Sequence, residues 1–204
     1  MRHVCGKPEA IAFLRGGGEA PRLRGTVKFY PDEVGTLVEA RVYGLPENDT
    51  GFFAFHIHEG NNCGGTDFSG SGAHFNPTHQ PHPRHAGDLP PLLFREGQAF
   101  LAVKTGRFTP GQVVGRTVII HENADDFHTQ SAGNPGKKIA CGKIQWCSYE
   151  NFSQKNGNLT KNFPSSSFCV VKLLTMVYNA ISYGFIRFLL PGPFPGEGDH
   201  LWRN

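Results

Sequence analysis

Residues 51–60 read GFFAFHIHEG. A run of aromatic and β-branched residues bounded by glycines has the character of a β-strand. Successive side chains of a strand point to opposite faces, so Phe53, Phe55 and Ile57 share one side while His56 and His58 share the other. The first side asks for a core to pack against. The second delivers two imidazoles together on a rigid support, an arrangement suited to copper or zinc. Taken alone, the pair fits the polar face of an edge strand equally well.

Similar short runs lie on either side, at EAIAFL (9–14), LRGTVKFY (23–30), VGTLVEARVYGL (34–45), AFLAVKT (99–105), TVIIHE (117–122) and KIACGKI (138–144). Their regular spacing, with turn signals between them and no comparable helical segment, predicts an all-β fold, an antiparallel sandwich or barrel. The 26 glycines and 15 prolines among 204 residues agree, since they favour turns over long helices. Two stretches break the rhythm, 59–91 and 122–138, both rich in Gly, Pro, Asn and His. They read as long loops, and a loop of about 30 residues in a compact domain is usually functional or disordered. The first holds four of the ten histidines, which favours function.

Within it, HFNPTHQPHPRHAGD carries His74, His79, His82, His85 and Asp88. Three imidazoles and a carboxylate match the tetrahedral N/O preference of zinc, and the interleaved prolines stiffen the segment. A solvated His-rich loop is the competing reading. His121 closes the run TVIIH; by itself it reads as a strand-end or core histidine, and it becomes a ligand only if strand pairing brings it to the others.

The remaining features narrow the function. A formal charge of +3 with no run of Lys and Arg gives no nucleic-acid footprint. Five cysteines without CxxC spacing argue against a thiolate zinc site and a dense disulfide framework, leaving room for one disulfide. The N-terminal residues contain no apolar stretch with a small-residue cleavage site, so a cytoplasmic location is expected. Beyond about Gln145 the strand pattern stops. We divide the chain into a domain over 1–145 and a C-terminal extension over 146–204, expected to be disordered or weakly structured. Its apolar run 168–190 is interrupted by Lys172, Asn179 and Arg187, which disfavours a membrane anchor.

In order and wording, GFFAFHIHEGNNC, GAHFNP, HAGDLP, GRTVIIHENADD and GKKIACGKI resemble the copper/zinc superoxide dismutase family, the shorter bacterial type more than the eukaryotic one. The resemblance covers about two thirds of the chain. It implies a Greek-key β-sandwich or barrel of about eight strands with two long functional loops. It also implies copper on His56, His58, His74 and His121, zinc on His74, His82, His85 and Asp88, and Asp125 linking ligands of the two metals. A Cys63–Cys141 disulfide is implied as well, and Lys138 stands where the family has an arginine. A lysine there keeps the charge but loses the planar fork.

The implied reaction is disproportionation of the superoxide anion, with His56, His58, His74, His121 and Lys138 as the catalytic set. A homodimer is compatible with it, and no partner protein is evident. The alternative is a copper- and zinc-binding module of the same fold without significant turnover. A mononuclear zinc hydrolase ranks last, because four protein ligands would leave no position for water.

Overall fold

The computed structural model describes residues 6–147. Eight strands follow one another as β1 (Ala10–Gly16), β2 (Arg24–Asp32), β3 (Gly35–Tyr43), β4 (Phe52–His58), β5 (Asp88–Leu93), β6 (Gln98–Thr105), β7 (Thr117–His121) and β8 (Lys138–Trp146). One four-residue helix, α1 (Pro110–Val113), interrupts them, too short to be comparable to the strands or to alter the all-β class. It starts from a capping box at Thr109 and Gln112 with Pro110 in its first turn, a local signal too short to show hydrophobic periodicity.

All ladders are antiparallel, in the order β5-β4-β7-β8-β1-β2-β3-β6. The terminal strands β5 and β6 are consecutive in the chain and approach each other, so the sheet nearly closes into a barrel. Around that closure β4, β5 and β6 are neighbours and β7 returns beside β4, which is the Greek-key arrangement. The interior is apolar: Phe29, Phe53, Phe55, Ile57, Val118, Ile120 and Ile144 belong to one buried cluster. The alternation of β4 is thus realised, with Phe53, Phe55 and Ile57 inward.

The sequence reading made 59–91 a single loop, and the structure shortens it. Its last residues form β5, whose Pro90 and Pro91 look like turn signals. Prolines are tolerated in a strand at an edge or a bulge. Here they have both, because β5 ends the ladder and its register with β4 slips between Phe53↔Leu92 and Phe55↔Leu89. A 3-10 turn at Ser69–Ser71 and a bridge from His58 to His74 also lie within the stretch.

Both faces of β4 and β7 are buried, one against the interior and the other beneath the two long loops. A second bulge falls where His121 pairs with Lys138 after Ile120 has paired with Ala140. The extra residue, Ile139, enters the core together with Ala140. An inserted residue reverses the alternation beyond it, so Lys138 emerges on the outer face, under the loops.

The expected extension lies outside the described residues apart from Trp146 and Cys147. The same is true of the apolar run 168–190. Among the described residues no helix is long and apolar enough to cross a membrane.

Candidate metal centre

His56 and His58 come from β4, His121 from the end of the neighbouring β7, and His74 from the first long loop, fixed by its bridge to His58. Each is buried. Burial is the largest influence on His58 and His121, driving their pKa values down to about 2 and about 3, and it lowers those of His56 and His85 too. They are therefore neutral near pH 7, the form in which an imidazole can offer a lone pair.

Hydrogen bonds select which nitrogen offers it. His58 Nδ1 donates to the Gly72 carbonyl at 2.8 Å and His121 Nδ1 to the Gly136 carbonyl at 3.2 Å, leaving the two Nε2 atoms 3.4 Å apart with free lone pairs. His56 Nε2 donates to Asp125 Oδ2 at 2.8 Å, and its Nδ1 is buried without a partner. His74 Nε2 is likewise buried and unpartnered. The four rings present ligand atoms within 4.8 Å of one another.

A second group adjoins the first through His74, whose Nδ1 lies 2.8 Å from Asp88 Oδ1 and 3.4 Å from His85 Nδ1. His82 Nδ1 is only 3.1 Å from Asp88 Oδ2, yet it has no hydrogen bond. Ligand atoms of His74, His82, His85 and Asp88 also fall within 4.8 Å of one another. Converging lone pairs on buried, unpartnered nitrogens are costly unless a cation satisfies them, so the donor sets fit two metal ions. Imidazoles suit copper in the first group, and three imidazoles with a carboxylate suit zinc in the second.

Asp125 spans the groups. Its Oδ2 accepts from His56 and its Oδ1 from His82 Nε2 at 2.9 Å and from the Phe127 amide at 2.7 Å. Burial raises its pKa, but these hydrogen bonds outweigh that and hold it at about 2. Gln130 grips His82 from both sides of its peptide, accepting from its amide at 3.0 Å and donating to its carbonyl at 2.8 Å.

Lys138 Nζ donates to Ser71 Oγ at 2.8 Å and to Gly72 O at 3.0 Å. Partial burial lowers its pKa, and Asp67 opposes the shift. Lys138 lines a surface cleft with Glu19, Asp67, Lys137, Gly72 and Gly136. Because the last two also hold His58 and His121, the cleft opens beside the first group. At its rim Glu19 Oε1 is paired with Lys137 Nζ at 2.8 Å.

Cys63 and Cys141 form the disulfide, tying the first loop to β8 across a sequence separation of 78. Closing a loop of that length stabilises the fold by about 4.5 kcal/mol in the chain-entropy account. Cys141→Ser is accordingly expected to lower the melting temperature of the metal-free protein by on the order of 10 °C, a shift that calorimetry would detect. Cys147 is a free thiol, whereas Cys5 and Cys169 lie outside the described residues. His79 is exposed, has a φ of 53° and joins neither group.

Sequence reasoning missed the Gly72 and Gly136 carbonyls and the Gln130 clamp. Backbone carbonyls leave no mark in a sequence, and a lone glutamine in a polar loop is no signal by itself.

Three comparisons bear on the identity of the chain. Residues 23–144 match the family model described as copper/zinc superoxide dismutase (SODC). A Superoxide dismutase [Cu-Zn] of Deinococcus radiodurans is 38% identical over 161 residues, spanning 69% of this chain and 86% of the relative. Superoxide dismutase [Cu-Zn] A of Xenopus laevis is 32% identical, spanning 68% and 98%. Among solved structures, the Cu/Zn superoxide dismutase from Brucella abortus superposes with a TM-score of 0.58 at 24% identity, covering 67% of this chain and all of that one, which speaks for the fold alone.

Proposed function

This chain belongs to the copper/zinc superoxide dismutase family, and we propose from that premise how its residues divide the work of turning two superoxide anions and two protons into oxygen and hydrogen peroxide. His56, His58, His74 and His121 hold copper; His74, His82, His85 and Asp88 hold zinc. Copper, when bound, supplies the one-electron redox couple, while zinc has no redox chemistry of its own.

The reading rests on His74, the one residue shared by the two groups, with Nδ1 on the side of Asp88 and His85 and an unpartnered Nε2 on the other. Nε2 is the atom of this chain placed to take up a proton and return it to the departing product. Asp125 orients His56 and His82 together through their Nε2 atoms. Such partners behind a ligand fix its tautomer and raise its basicity.

Lys138 supplies positive charge in the cleft beside the copper ligands, where it attracts a small anion and orients it. Focusing of this kind raises on-rates by about 10–10³ and weakens with salt. In the same cleft Glu19 is offset by its ion pair with Lys137, so Asp67 is the acidic group that opposes Lys138 and reduces the net field.

The test is superoxide decay by the full chain loaded with copper and zinc, set beside the metal-free protein and Lys138→Ala. Decay should require copper. The variant should be about tenfold slower and less sensitive to ionic strength. No decay at full occupancy of both metals would overturn the dismutase reading and leave a metal-binding module of the same fold.

A further inference from the structure

We propose that Arg107 is a positioning residue for zinc: its guanidinium holds the backbone of the segment that carries His82, His85 and Asp88. Arg107 Nη1 donates to the carbonyls of Pro83 at 3.3 Å, His85 at 3.1 Å and Asp88 at 3.0 Å. Three carbonyl oxygens aimed at one point repel each other, and a positive donor at that point removes the penalty.

The base of Arg107 is firm. It follows β6, its amide donates to Thr105 Oγ1 at 3.2 Å, and the next residue, Phe108, is buried in the barrel core. The Phe108 carbonyl accepts from the buried Thr36 hydroxyl at 2.9 Å. The backbone of this loop meets β4 only near its ends, where the Phe75 amide donates to Ile57 O and Gly87 O accepts from the Ile57 amide, each at 2.8–2.9 Å, and Arg107 adds a grip from the barrel on the stretch between and beyond them.

Among the described residues no carboxylate forms an ion pair with Arg107, so its charge is directed at the carbonyls. The three contacts end on a single nitrogen, whose two N–H bonds are shared among three acceptors, and not on the two arms of the fork. An ammonium, with three donors at one point, can take that place.

The inference rests on His74, His82, His85 and Asp88 being the zinc ligands, and the experiment separates the two. Zinc affinity of the full, copper-free chain would be measured by chelator competition for the unaltered protein, Arg107→Ala and Arg107→Lys. The Co(II) absorption spectrum would report ligand geometry, and melting of each metal-free protein would report the fold. Arg107→Ala should bind zinc about 10–100-fold more weakly, with altered Co(II) bands and little change in metal-free melting. Arg107→Lys should recover affinity to within about threefold of the unaltered chain.

Zinc affinity unchanged in Arg107→Ala, a loss that merely tracks a fall in metal-free melting, or no recovery in Arg107→Lys would overturn the role. If the unaltered chain itself failed to bind zinc, the ligand assignment would fall first.

Discussion

His58→Ala is expected to reduce superoxide decay to the level of the metal-free protein, a larger fall than the roughly 10–100-fold that follows from changing a group behind a ligand. The ring is buried within the first histidine group, with Nδ1 held by Gly72 O and Nε2 3.4 Å from the Nε2 of His121. Removing it takes away one of four converging lone pairs and leaves the Gly72 carbonyl without that donor. The zinc group shares only His74 with the copper group, so zinc should be retained.

Metal content measured beside the decay rate therefore gives a selective pattern, with copper lost and zinc kept. Decay at the unaltered rate in a correctly folded His58→Ala protein would sink the assignment of His58 to copper. Equal loss of both metals would point to collapse of the site instead.

Asp125→Asn should weaken both metals together, each by about 10–100-fold. The carboxylate accepts from two imidazoles that belong to different groups, at 2.8 and 2.9 Å. An asparagine has only one acceptor oxygen, and its amide nitrogen can only donate. One of the two rings must then lose its partner or change tautomer, which removes the lone pair facing the metal. The other ring keeps a neutral oxygen in place of a carboxylate that is ionised down to about pH 2, and so loses the negative charge that raises its basicity, which weakens the second metal as well.

Gly133→Ala offers a second route to the same result with the carboxylate intact. Its φ of 75° is strained for any other residue, and a Cβ there would collide with Asp125 Oδ1 and come within 2.7 Å of His82 Nε2. Chelator competition for copper and for zinc, run separately on both variants, checks the coupling. A variant that loses one metal while the other is bound as tightly as before would refute the link.

The part of this protein that is readable without a structure is the part written in short range. The alternation of GFFAFHIH places His56 and His58 on one face through a local rule of strand geometry. The density of histidines between His74 and His85, with Asp88 beside them, points to a metal-binding loop through composition, with a solvated His-rich loop as the competing reading. Strand count and fold class follow from the spacing of turns and from the family resemblance.

Tertiary structure decided what depends on pairing between distant segments. His121 is ambiguous as a sequence feature and becomes part of the first group only because β7 lies beside β4, which brings it to His58 across a separation of 63 residues. Lys138 reaches the cleft because a bulge reverses the alternation of β8, and bulges follow from the register of two strands rather than from one. Pro90 and Pro91 hide β5 because proline reads as a turn until the strand is known to lie at the end of the ladder. The carbonyls of Gly72 and Gly136, which select the lone pairs of His58 and His121, are common to every residue and so carry no sequence signal. The chain specifies its ligands by residue type and local period, and only the packing of loops onto the barrel specifies which nitrogen of each ligand faces inward.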